Sequence, residues 1–352
     1  MNRLKSLRAW RMTGIMAGVA ILVLIGRTVW INGLFSTAKP GFFGTCKVIA
    51  QLPGVEDIEI ANGVAFVSGA SARGPGAADG IYALPLAGGK LTKLLGAPKD
   101  FHPRGIGLYH SPDGSGIFLL AVNRRSTGRF SIDSFEVTNP LTAPALVAQG
   151  TIEGGLLINP QDVAAAGPGS FYVANGTASK NGFVHTLQTY GVIAGGNILY
   201  FNGMSFCVAA DGLYGVRSVL LTPDGMHLVA SSLLTRSLKT FNREPLNGAL
   251  SDGDGFTLPA APEKLTLDNR GEIWAAGHAN LLQWRAMAND PGARSSSQIF
   301  RVGLASGVPQ DVEQIYGNDG SEIAGASVAA SLGKRLLIGS SLDGRLLDCA
   351  AK

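Results

Sequence analysis

Six times along the chain one pattern returns: in most copies a polar or charged residue, then alternating apolar positions, a turn rich in Gly, Asp or Asn, and a second apolar run. The copies begin at Glu56 (EDIEIANGVAFVSG), Arg104 (RGIGLYHSPDGSGIFLLAV), Gln161 (QDVAAAGPGSFYVA), Arg217 (RSVLLTPDGMHLVA), Glu263 (EKLTLDNRGEIWAA) and Ala326 (ASVAASLGKRLLIG). Alternation with period two marks half-buried strands, and the PDG or NG turns join them as hairpins. Units spaced roughly 45 to 65 residues apart are the signature of a propeller with one four-stranded blade per repeat. The expected fold is therefore all-β, a six-bladed β-propeller. A chain of 352 residues has room for two domains, but all-β propellers of this length form one unit. Only 15% of residues are charged and 48 are glycine, which suits many short strands joined by tight turns.

Each repeat opens with the innermost strand of its blade, so its first residue faces the central channel. Glu56, Arg104, Gln161, Arg217, Glu263 and Ala326 are thus expected around one axis. The wall reads acid, base, amide, base, acid, small.

Upstream of the repeats the chemistry changes. Arg3, Lys5, Arg8, Arg11 and Arg27 lie in the first 27 residues, where no acid occurs; setting those five aside turns the net charge of +4 into −1 for the rest. A body without net positive charge, and without a basic cluster interleaved with aromatics, lacks the footprint of a nucleic-acid binder. The apolar run 12–26, resumed at 28–31 and 34–35, is long enough to cross a bilayer. It predicts a signal-anchor transmembrane helix over 12–35, after a basic cytoplasmic segment 1–11 and before a linker 36–45 and a propeller 46–352. The alternative is a cleaved signal peptide with Ser36-Thr37-Ala38 as a weak site. Either way the body is expected outside the cytoplasm, periplasmic or extracellular. In that oxidising setting Cys46 and Cys349, which bracket the repeats, are expected to form a disulfide that latches the ring, with Cys207 unpaired. The alternative is that both are reduced and buried.

With the repeats in register, the chain resembles the paraoxonase/arylesterase family, within the gluconolactonase-like superfamily, from about Cys46 to Cys349. The resemblance is carried by GVEDIEI (54–60), LLAVN (119–123), QDVAAAGPGSFY (161–172), TPDG (222–225), EIWAAGHAN (272–280) and KRLLIG (334–339). It implies hydrolysis of aryl esters and lactones in a channel holding two calcium ions, one structural and one catalytic. It places the structural ion on Asp57, the carbonyl of Ile106, and Asp162, all oxygen donors suited to a hard cation. At the catalytic ion only Glu56 retains the residue type that the resemblance implies. The other positions hold Gln161, Arg217, Glu263 and Lys264, and Arg217 and Lys264 are cations with no acceptor to offer. One structural calcium is expected, and in place of the catalytic ion a salt-bridge cluster of Arg217 and Lys264 with Glu56 and Glu263. The family's histidine pair maps onto Arg104 and Arg124, while His278 matches a family histidine at the channel mouth, where it would contact substrate or act as a base.

Three functions follow. The first is a membrane-anchored, extracytoplasmic ester or lactone hydrolase working through Glu56, Glu263 and His278, as the resemblance implies. The second is a non-catalytic propeller that binds an anionic small molecule through Arg104, Arg124, Gln161, Arg217 and Lys264, or a protein at its rim. The third is a metal-free propeller enzyme, similar to strictosidine-synthase-like proteins, with Glu56 as general base. No G-x-S-x-G elbow and no histidine spacing typical of metal ligands points elsewhere.

Overall fold

A computed structural model describes residues 2–111, 116–140 and 142–351. The PDGS turn of the second repeat (112–115) and the side chains of residues 1–11, with the basic residues expected there, lie outside that description.

Six antiparallel sheets of four strands each surround one axis. Their innermost strands are Val55–Ala61, Pro103–His110, Pro160–Gly167, Val216–Leu221, Ala261–Leu267 and Val328–Leu332. These six define blades 1 to 6, and each begins within two residues of the repeat starts. The next strand outward is buried on both faces rather than alternating: every residue of Val64–Gly69 and of Ile273–His278 is buried. The reason is that a blade packs between two neighbours, so neither face of its second strand meets water.

Apolar clusters fill every interface between neighbouring blades. Phe66 and Ile81 of blade 1 meet Leu119 and Phe135 of blade 2. Phe171 packs between blades 2 and 3, Tyr172 with Phe241 between 3 and 4, Phe300 between 4 and 5, and Trp274 with Ile338 between 5 and 6. Val55, Val67 and Leu337 close the circle between blades 6 and 1. The NG turn of the first repeat is a two-residue hairpin with Asn62 at φ 49° and Gly63 at φ 74°, the left-handed geometry such a tight turn requires.

The ring closes with strands from both ends of the chain. Gly44–Gln51 is the outermost strand of blade 6 and pairs antiparallel with Arg345–Ala351. Cys46 faces Cys349 in that register and is disulfide-bonded to it, while Cys207 is free and exposed.

Helix α1 (Asn2–Ile31) includes a stretch, Met12–Ile31, long and apolar enough to cross a membrane. Its end is built into the propeller. Ile31 packs on Leu233, Leu234, Ala261 and Leu281, Asn32 is fully buried, and the Leu281 amide donates to the Asn32 carbonyl (2.9 Å). Gly33 adopts φ 65° where a Cβ would collide with the Arg236 guanidinium and the Ala279 carbonyl, so glycine is required there. This junction lies against α2 (Gly182–Thr189) and α3 (Leu281–Asn289), inserted into blades 3 and 5 after their second strands.

Candidate functional site in the channel

In five of the six blades the innermost strand gains one residue on its neighbour near its start. The extra residue is Glu56, Gln161 and Arg217 in blades 1, 3 and 4, and falls within Arg104-Gly105 and Glu263-Lys264 in blades 2 and 5. A bulge leaves one residue out of the ladder and re-aims its side chain. The charged repeat starts are therefore bulge residues, and blade 6, whose start is Ala326, keeps an unbroken register.

Below the mouth, Lys264 is 4% exposed and shared between Asp162 Oδ1 (2.9 Å) and Asp57 Oδ2 (3.4 Å), and it donates to the Gln161 carbonyl (2.7 Å). The Ile106 amide donates to Asp57 Oδ2 (2.9 Å), the Ser218 hydroxyl to Asp162 Oδ2, and the Lys264 amide to the Ser327 carbonyl (3.1 Å). The ammonium thus touches blades 1 and 3 directly, blades 2 and 4 are joined to it through the two carboxylates, and Ser327, leading into blade 6, holds the Lys264 backbone. A Cβ at Gly105 would overlap Asp162 and crowd Lys264 Nζ, so this approach requires glycine. Burial favours the neutral amine, but Asp162 and Asp57 outweigh it and raise the lysine's proton affinity. Burial, together with Asp57 and Asp162, pushes Glu59 on the same strand well above the carboxylate range.

Two expectations change here. Lys264 pairs with Asp57 and Asp162 rather than with Glu56 and Glu263, because it leaves the bulge on the opposite side from Glu263. Calcium on Asp57, Asp162 and the Ile106 carbonyl does not fit these residues, since the ammonium already lies between the two carboxylates. A divalent ion about 4 Å from that ammonium would be repelled by about 8 kcal/mol at an effective dielectric near 20. Among the described residues no three His, Cys, Asp or Glu side chains converge to hold a metal.

On the mouth side, Arg217 donates through Nε (3.0 Å) and Nη2 to Glu263 Oε1, and through Nη1 to Gln161 Oε1 (2.8 Å). The other Glu263 oxygen accepts from His278 Nε2 (2.9 Å). Burial alone would raise the Glu263 carboxyl, but Arg217 and His278 reverse this and hold it at about 2. His278 is fully buried and stacked on Trp284, ring centroids 4.6 Å apart. Trp284 stands between it and the opening, so the imidazole does not reach the place where substrate contact was expected.

Above this pair opens a cavity of about 420 Å³ whose lining includes Glu56, Arg104, Arg217, Tyr190, Trp284 and Arg285. Glu56 is the one carboxylate in the lining and has no hydrogen-bond or ion-pair partner among the described residues. Burial raises its proton affinity, against the pull of Arg104, Lys264 and Arg217. Arg124 sits at the rim and donates to the Ser71 carbonyl (3.3 Å). The structure thus brings Glu56, Arg104, Gln161, Arg217 and Glu263 together, leaves Arg124 at the edge, and sets Asp57, Asp162 and Lys264 one layer deeper. Arg285 and Trp284 belong to α3, outside the repeats, and only the EIWAAGHAN stretch just before them marks their neighbourhood in the sequence.

A profile of the Arylesterase family matches residues 90–350. Serum paraoxonase/arylesterase 2 of Rattus norvegicus is 26% identical over 319 residues, covering 86% of this chain and 88% of the relative. Among solved structures, a luciferin-regenerating enzyme superposes with a TM-score of 0.57 at 12% identity, covering 87% of this chain and 95% of its own. A calcium-binding protein, regucalcin, from Agrobacterium tumefaciens does so with a TM-score of 0.53 at 13% identity, covering 87% and 94%. These structural likenesses concern the fold.

Proposed function

The chain belongs to the arylesterase family, and from that premise we propose that it is a hydrolase of carboxylic esters or lactones whose channel uses its own cations where the family resemblance implies calcium. The observation that carries this reading is the Lys264 ammonium between Asp57 and Asp162, with the Arg217 guanidinium on Glu263 above it. Glu56, unpartnered and facing the cavity, accepts a proton from water as that water attacks the ester carbonyl. Arg217 and Arg104, which line the same cavity, stabilise the oxyanion that develops. Collapse of the tetrahedral intermediate breaks the acyl C–O bond, and the leaving oxygen takes the proton from Glu56. Glu263 and His278 hold Arg217 in place and are positioning residues. Helix α1 would anchor the body to the membrane outside the cytoplasm, in keeping with the disulfide.

The test is hydrolysis of phenyl acetate and a γ-lactone by the purified full chain, before and after chelation. The expected result is turnover insensitive to chelator and lost in Glu56→Gln. Activity abolished by chelation and restored by calcium would overturn the metal-free reading. In a parallel binding experiment, Lys264→Asn should create calcium affinity, seen as a calcium-dependent rise in melting temperature that the natural protein lacks. A second reading, a non-catalytic binding propeller, is favoured by the position of His278 behind Trp284, which takes that imidazole out of the mouth and leaves His185, on α2, as the histidine in the lining. Absence of turnover on both substrates would support it.

A further inference from the structure

Four arginines surround the channel mouth without a carboxylate partner among the described residues. Arg73 donates to the carbonyls of Met287 (2.7 Å) and Leu342 (3.3 Å), and Arg104 to the Asn159 side chain (3.3 Å) and the Pro160 carbonyl (3.2 Å). Arg124 donates to the Ser71 carbonyl, and Arg285 to the Asn32 side chain and the Thr189 carbonyl (2.8 Å). Arg217 differs, because Glu263 balances it from behind. Carbonyls and amides fix the orientation of a guanidinium but leave its charge uncompensated. A planar fork held this way is set to receive a carboxylate through two parallel hydrogen bonds.

Two of the four, Arg104 and Arg285, line the cavity itself. They come from blades 2 and 5, which oppose each other in a ring of six: Arg104 feels Glu56 as its strongest opposite charge, on the side where the ester would react, whereas Arg285 stands across the mouth from that pair. Burial lowers the proton affinity of both to about 10, so each remains charged at neutral pH while poorly solvated. The single lining acid, Glu56, does not offset two such charges, and Trp284, Leu233 and Leu234 supply an apolar wall beside them. Arg285 is also tied to the anchor, because Asn32, its partner, is the residue directly after α1.

We propose that the mouth selects esters or lactones that carry a second, ionised carboxylate, with Arg285 as the specificity-determining residue. This rests on the hydrolase reading for the reaction and adds the class of substrate. The apolar part of the substrate lies on Trp284, the carboxylate meets the Arg285 guanidinium, and the ester carbonyl faces Glu56, Arg104 and Arg217.

The experiment compares phenyl acetate with 4-acetoxybenzoate, each rate divided by its hydroxide-catalysed rate to remove intrinsic reactivity. A charge-assisted hydrogen-bonded pair corresponds to about a tenfold preference in kcat/KM for the carboxylate ester. That preference should appear in KM more than in kcat, shrink at about 0.5 M salt, and collapse in Arg285→Gln. Alongside it, binding of 4-hydroxybenzoate is measured against the uncharged 4-hydroxybenzamide. Equal turnover of both esters, without salt dependence and without preferential binding of the carboxylate, would overturn the inference and leave the hydrolase reading intact. No turnover of either ester, with 4-hydroxybenzoate bound preferentially and the preference lost in Arg285→Gln, would do the reverse. Should Arg285→Gln fail to fold, the salt dependence of the natural protein and the same ratio in Arg285→Lys, which keeps the charge and gives up the planar fork, decide the matter.

Discussion

Glu263 and Lys264 are neighbours in the chain and serve different clusters, one at the mouth and one in the deeper layer. Each is buried, so removing the partner of either leaves a charge that water cannot reach. Lys264→Met should cost about 3–5 kcal/mol because Asp57 and Asp162 would then face each other unpaired, and urea unfolding of the variant measures it. Glu263, held at about 2 in the folded state, favours folding wherever it is ionised, that is, above its ordinary value of 4.5. That contribution is lost as pH falls from 4.5 through 2, and is on the order of 3 kcal/mol. Urea midpoints across this window should fall steeply in the natural protein and more gently in Glu263→Gln. An unchanged slope would mean that Arg217 and His278 do not hold the carboxylate.

At the scale of elements, the strand repeats were legible because a blade's hydrophobic pattern is local, and the charged repeat starts marked the channel for the same reason. The bulges that aim those residues were not legible, since a bulge is a mismatch between two strands and neither strand shows it alone. Which side of the bulge Lys264 takes depends on Asp57 and Asp162, about 200 and 100 residues away in sequence. Arg285 and Trp284 were hidden for a different reason: α3 interrupts the repeat and follows no period. The hydropathy of 28–35 likewise reads as the end of an anchor, whereas Ile31 packs on blades 4 and 5, Asn32 is buried there and hydrogen-bonded to Leu281, and the Leu34 carbonyl accepts from the Asn280 side chain. Gly33→Ala should therefore cost about 1–3 kcal/mol through its left-handed backbone and the lost fit to Arg236. Limited proteolysis within 36–45 should speed up in that variant.

For the molecule as a whole, the fold depends on closing a circle, and the disulfide between Cys46 and Cys349 fastens the seam. Cys349→Ser should destabilise the propeller by about 2–5 kcal/mol, seen as an equal loss when the natural protein is reduced before unfolding. The same seam sets a schedule for biogenesis. Strand Gly44–Gln51 is among the first parts of the body to be made, yet its partner lies 303 residues later. At typical synthesis rates of about 5–20 residues per second, that strand waits about 15–60 s with an open edge. Throughout that wait the Cys46 thiol has no native partner, and the first other cysteine to emerge is Cys207, which is exposed in the finished protein. A Cys46–Cys207 bond formed during that wait would have to be exchanged once Cys349 arrives, so the seam that makes the mature ring durable is also the last part of the body that can be completed.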